Sequence, residues 1–127
     1  MMLDLQLVVA RTAYAPGETV RGEAHWQGVD PLPAAVEVRL LWFTEGKGDR
    51  DVSVEATQPL AVLTPIGFEP FSFVLPNGPY SYTGKLVSIR WALELVPTSS
   101  HRGLSRIELT VGPDRQAVVG FPEYASA

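Results

Sequence analysis

The 127-residue sequence contains no cysteine. Disulfides, thiolate zinc sites and iron–sulfur clusters are therefore excluded, so packing and sheet hydrogen bonds have to hold the fold alone. A chain without disulfides suits a reducing compartment, and a cytoplasmic location is expected. Only two histidines are present, which leaves little imidazole for catalysis or metal binding. No run of about eighteen apolar residues occurs, so no membrane-spanning helix is expected. Nor is there an excess of positive charge: ten Lys and Arg stand among fourteen Asp and Glu, for a net charge of -4. Without a basic stripe, nothing neutralises a nucleic-acid backbone or an anionic lipid surface, and neither nucleic acid nor membrane insertion is expected. Residues 1–11 hold a short apolar run, but Asp4 precedes it, no basic region leads it and a turn follows it. A signal peptide is not expected. Apolar residues at helical spacing, with caps at either end, are also missing.

What the chain does have is alternation. Hydrophobic residues make up 46% and charged residues 19% of it, the composition of an ordinary globular domain that buries roughly two thirds of its unfolded surface in one core. In residues 85–96, Val87, Ile89, Trp91, Leu93 and Leu95 share one face, with Leu86, Ser88, Arg90, Ala92, Glu94 and Val96 on the other. Successive side chains of a strand point to opposite sides, so this spacing predicts a strand with one buried and one mostly wet face. The same period gives strands with inner rows Leu3, Leu5, Leu7, Val9; Val20, Gly22, Ala24, Trp26; and Val36, Val38, Leu40, Trp42. The small Gly22 and Ala24 predict a bulky, aromatic neighbour packed across them.

The outer row Glu37, Arg39, Leu41, Phe43 turns apolar toward its end. A charged, glycine-rich link at 45–50 leads to Val52, Val54 and Ala56, which reads as a hairpin. Further strands are expected at 60–63, at 69–75 with Phe71, Phe73 and Leu75 aligned, and at Ile107, Leu109, Val111. The turns fall at Tyr14-Ala15-Pro16-Gly17-Glu18 and Pro76-Asn77-Gly78-Pro79, where proline presets one dihedral and glycine accepts a positive one. Seven or eight short strands around one core predict an all-β fold, an immunoglobulin-like antiparallel β-sandwich rather than a barrel, because strands of unequal length close a barrel poorly. The domain is expected over 1–111, with a C-terminal tail at 112–127.

Three stretches together resemble the arrestin-like family of β-sandwiches. They are residues 14–22, from Tyr14-Ala15-Pro16-Gly17-Glu18 to Gly22; Val38-Arg39-Leu40-Leu41-Trp42-Phe43 running on through 48; and Phe71-Ser72-Phe73-Val74-Leu75-Pro76 continuing through Tyr80 and Tyr82 to Leu93. Their order and spacing match an arrestin amino-terminal domain over about residues 3–111. Arrestins, the retromer subunits that share their fold and bacterial sporulation-control proteins are non-enzymatic adaptors, so the resemblance implies a protein-binding scaffold. That family usually joins two such sandwiches in one chain. The buried charge cluster by which arrestins sense phosphate cannot be placed here, so phosphate-triggered switching is not carried over.

No reactive constellation competes with that reading, and no enzyme is expected. His25 falls on an outer row and His101 in a polar loop; neither has a nucleophile and an orienting acid assigned beside it. Glu45, Asp49 and Asp51 lack the spacing of a calcium loop and share theirs with Lys47 and Arg50. Gly46-Lys47-Gly48 lacks the earlier glycine and the following Ser or Thr of a phosphate loop. Catalytic residues, cofactor and metal are accordingly expected to be none. The candidates for protein binding are Tyr80 and Tyr82, aromatics displayed on a turn, and Phe121 and Tyr124, in a tail with Val118 and Val119 that is apolar for free solvent. That tail either folds back along the sandwich or adds to a partner or a second subunit. The partner is expected to be a protein, with homo-oligomerisation through an edge strand or the tail as one form of it. The alternative function is a carbohydrate-binding module, which requires Trp26 or Trp42 on an exposed face.

Overall fold

The computed structural model describes residues 4–27, 36–46, 50–60, 66–97 and 105–120. Alternation becomes ten strands: β1 (Asp4–Val9), β2 (Ala13–Tyr14), β3 (Thr19–Gln27), β4 (Val36–Gly46), β5 (Val52–Leu60), β6 (Gly67–Val74), β7 (Tyr82–Gly84), β8 (Val87–Pro97), β9 (Ser105–Val111) and β10 (Val118–Gly120). Seven of them run six residues or more, as the spacing predicts. The other three are short, and all of them take part in the parallel pairs β2 with β9 and β10 with β7. No helix among the described residues is long and apolar enough to cross a membrane.

Two sheets face each other. The smaller has the order β1-β3-β6 and is antiparallel throughout. In the larger, β8 pairs with β4 from Val87↔Gly46 to Pro97↔Val36. Its other side is shared by β7 and β9, while β5 and β10 lie at the sheet's two ends. Inner rows meet in one core of Val20, Ala24, Trp26, Val36, Val38, Leu40, Phe71, Phe73, Leu75, Trp91, Leu93, Leu95, Leu109 and Val111, with Trp42 partly buried at its margin. A β-carbon at Gly22 would lie 2.7 Å from the Phe71 ring, so Phe71 is the aromatic that the small residues of β3 admit. At one flank the Gln58 side-chain amide donates to the Pro70 carbonyl at 3.0 Å and ties β5 to β6. At the other, β1 lies against β9.

Three expectations need correction. Val52, Val54 and Ala56 do not share a face, because the β4–β5 register shifts between Leu40 and Leu41. A bulge inserts one residue and reverses the alternation beyond it; Val52 and Val54 are exposed and Ala56 packs on the core. The shift falls inside a single strand that runs on to Leu60, so Leu60 closes β5 rather than opening a strand of its own; residues 61–65 lie outside the described residues. The outer face of the large sheet is also drier than alternation implies: Leu41, Phe43 and Ala92 form a second, smaller cluster. The Arg50 and Arg106 guanidiniums lie 4.5 and 4.7 Å from the Phe43 ring centre, covering it with cations that still reach water. Arg106 also pairs with Glu94, Arg90 with Glu45 and Glu108, and Arg39 with Glu37.

Candidate protein-binding site

The segment carrying Tyr80 and Tyr82 is held from both ends. Where β6 stops, the Gly17 amide donates to the Leu75 carbonyl and the Leu75 amide to the Glu18 carbonyl, each at 2.9 Å. Gly17 has φ +84, the positive value that the Pro-Gly turn requires. The chain then passes a cis Gly78-Pro79 bond, and the Trp91 indole donates to the Pro79 carbonyl at 2.8 Å. Ser81 is buried. Its amide donates to the Val111 carbonyl at 2.6 Å, and its hydroxyl accepts the Val111 amide at 2.8 Å. With its neighbour pinned inward, Tyr80 stands outward at 42% exposure. Tyr82 is half-buried: its ring lies against Gly84 and Gly120, where a β-carbon would come within 2.6 and 1.9 Å of ring or hydroxyl atoms. The two tyrosines therefore differ, one offered to solvent and one acting as a wall.

The tail supplies the rest. Beyond Val111, the 3-10 turn Pro113–Arg115 holds Asp114 and Arg115 at φ 53 and 60, left-handed values uncommon for residues other than glycine. That reversal sends the chain back along β7, where the Val118 amide donates to the Ser81 carbonyl at 2.8 Å. Val118 aligns with Tyr82 and Gly120 with Gly84. Part of the tail thus folds back on the sandwich. Val118 and Val119 stay 38% and 37% exposed. Phe121 and Tyr124 lie outside the described residues, as do Lys47, Asp49 and His101.

An ion cluster fixes this reversal. One Glu18 carboxylate oxygen accepts the Ala15 amide at 2.7 Å and the Arg115 Nε–H at 2.9 Å. The other accepts from Arg115 at 2.6 Å and lies 3.4 Å from Arg11. The Arg115 hydrogen bonds first, then the Ala15 amide and the two arginine charges, hold the Glu18 carboxyl down from 4.5 to about 2. A carboxyl with a lowered folded-state pKa contributes stability above its unfolded value and loses it as the pH falls toward the folded one. Docking of β10 is therefore expected to weaken between about pH 4.5 and about pH 2. Amide exchange of Val118 and Val119 measures it. In Glu18→Gln that acid-dependent step disappears, and exchange is already fast at neutral pH.

The remaining candidates fall elsewhere. The His25 Nε2–H donates to the Glu23 carboxylate at 2.9 Å, and the ring stacks on Phe68 with ring centres 5.7 Å apart, on the outer face of the small sheet. Trp26 and Trp91 are buried, out of reach of a sugar ring. Trp42 is half-buried and its indole donates to Glu55 at 3.1 Å. An open groove of about 650 Å³ lies on the small sheet, lined by residues that include Val8, Arg21, Glu23, Pro70 and Ser72. The sequence reading passed over Phe68 and Val74; the signal was there, since both alternate with the aligned Phe71 and Phe73.

No family model and no curated protein matches the sequence. Among solved structures, the chain is similar to Spo0M, a sporulation control protein from Bacillus subtilis, with a TM-score of 0.57 at 19% identity over 87% of this chain. This chain spans 49% of that protein's length. The likeness shows the fold: an all-β sandwich of the kind that the arrestin-like resemblance implies, in which sporulation-control proteins were included. Weaker likenesses, at TM-scores of 0.48 and 0.49, are to a Pseudomonas fluorescens alkylpurine DNA glycosylase and a Listeria innocua β-glucosidase, of which the chain spans 30% and 16%. They carry no functional argument.

Proposed function

We propose that this domain is a non-catalytic protein-binding module of the arrestin-like type, an adaptor or scaffold acting in the cytoplasm, whose contact surface is the β7–β10 end of the large sheet. The observation that carries the reading is β10 itself. It lies at the end of a sheet, shows two exposed valines and has no charged residue from Gln116 to Gly120. Sheet edges in soluble proteins are commonly guarded by charge or proline; β5 and β6 carry Pro59 and Pro70, and β10 carries neither. An extended peptide adds to such an edge by main-chain hydrogen bonds, with Tyr80 as a fairly rigid aromatic beside it. The fold shared with a sporulation control protein supports a regulatory role in kind.

Affinity capture from the native host with the wild-type domain is expected to recover a stoichiometric protein partner. Val119→Asp and Tyr80→Ser are each expected to lower recovery about tenfold or more while the far-ultraviolet spectrum stays that of a β protein. Equal recovery with both variants overturns the assignment of the surface, and recovery of no partner by the wild type overturns the function.

A further inference from the structure

We propose that the outer face of the three-stranded sheet β1-β3-β6 is a self-association surface, on which a second copy of this chain packs face to face about a two-fold axis. This surface is separate from the β7–β10 end, and the inference stands whether or not that end binds a partner.

The face is apolar where a solvated sheet would be charged. Val8 is 49%, Phe68 60% and Val74 67% exposed, and Pro70 is exposed between the last two. Exposed apolar residues gathered on one sheet face mark interaction sites. Two charges stand among them on the central strand, Arg21 and Glu23. Among the described residues Arg21, which is exposed, makes no ion pair, and Glu23 pairs with His25 at 2.9 Å.

What selects a second copy is the register. Across the sheet, Phe68 lies level with His25, Pro70 with Glu23, Ser72 with Arg21 and Val74 with Thr19. Consider a two-fold axis in the plane of the interface, perpendicular to the strands and passing over Gly22 and Phe71, which are themselves level. It sets β3 antiparallel over its copy and places Arg21 over Glu23 of the second copy, and Glu23 over Arg21. The same operation places Phe68 over Val74 of the second copy, and Val74 over Phe68, so both exposed apolar ends are covered at once. One rotation thus pairs both unlike charges and the two most exposed ends of β6. A slide of one copy by two residues along the strand sets either Arg21 over Arg21 or Glu23 over Glu23, so charge fixes the alignment as well as permitting it. An isologous contact of this kind closes into a dimer and does not propagate.

The size suits a weak, reversible contact. Three strands about 4.8 Å apart and eight residues long at about 3.3 Å each cover roughly 14 by 26 Å, and two such surfaces bury roughly 700 Å², the small end of the interface range. Sheets packed in this way lie about 10 Å apart with strands within about 30° of alignment. An open groove lies on this face under the axis, lined by Val8, Arg21, Glu23 and Pro70 among others.

Sedimentation equilibrium of the full chain is expected to give a reversible monomer–dimer equilibrium. Arg21→Glu and Glu23→Arg each place two like-charge pairs at the centre and are expected to weaken it by about 100-fold or more. The double variant Arg21→Glu/Glu23→Arg restores the pairing in reverse and is expected to bring dimerisation back to within about tenfold of wild type. Phe68→Asp abolishes it, and Val119→Asp leaves it unchanged. A monomeric wild type at about millimolar concentration overturns the proposal. So does a dimer that Val119→Asp disrupts and Arg21→Glu does not, or a double variant as weak as the single ones. Denaturation midpoints of each variant separate loss of association from loss of fold.

Discussion

Replacing Trp91 with alanine is expected to lower the free energy of unfolding by about 3 to 5 kcal/mol. Trp91 is 0% exposed, on the strand that pairs with β4 on one side and β9 on the other, so its removal leaves a cavity that two hydrogen-bonded neighbours prevent from collapsing. A second loss adds to the first. The indole N–H that meets the Pro79 carbonyl at 2.8 Å goes with the ring, and a buried acceptor left without a donor costs about 1 to 3 kcal/mol. Trp91→Phe keeps most of the apolar volume and loses only the donor, and it is expected to fall between wild type and alanine. Urea denaturation measures both. A change below about 1 kcal/mol in the alanine variant would place this residue outside the core. Because Pro79 leads directly into Tyr80, both variants are also expected to loosen the tyrosine turn, seen as faster amide exchange at Ser81.

The second large effect comes from the smallest side chain. Gly22→Val is expected to destabilise by about 3 kcal/mol, the upper part of the range for overpacked sites. A β-carbon there would lie 2.4 Å from the Val8 carbonyl oxygen and 2.7 Å from the Phe71 ring. The ring can turn aside; the carbonyl belongs to the β1–β3 ladder, where Val9 is paired with Gly22 itself. Shortening Phe71 to leucine is therefore expected not to rescue Gly22→Val, since the nearer obstacle is main chain. Rescue by Phe71→Leu in a thermal melt would show that β1 yields and that the ring was the obstacle. Glycines at the open turns behave differently: at Gly78 nothing lies within 4 Å of an added β-carbon.

Much of this architecture was legible because its signals are local. The inner rows of β3 and of β6 follow from period-two spacing, and the aromatic partner of Gly22 was implied by the missing side chain opposite it. Alternation failed where a neighbouring strand intervened. The bulge in β5 comes from its pairing with β4, and nothing within residues 52–60 marks it. Leu41 and Phe43 lie on a face that alternation assigns to water; what dries it is a pair of arginines, Arg50 from the following hairpin strand's approach and Arg106 from β9, more than sixty residues on. The candidate site divides in the same way. Tyr80 and the valines of β10 were visible as apolar residues in polar surroundings, but the union of Val118 with Tyr82 rests on a parallel pair whose partners lie far apart in the chain.

The sequence by itself determined the class of fold, the faces of the long strands, the turns at Pro16-Gly17 and Pro76–Pro79 and the want of cysteine chemistry, since each depends on residues within a few positions of one another. Tertiary structure alone decided that Arg115 reaches Glu18 across 97 residues, that the tail returns as a strand, and that Arg21, Glu23, Phe68 and Val74 share one face of a sheet. Those depend on which strands lie side by side, and strand order is settled by the burial of the whole core at once, a quantity that no short stretch of chain contains.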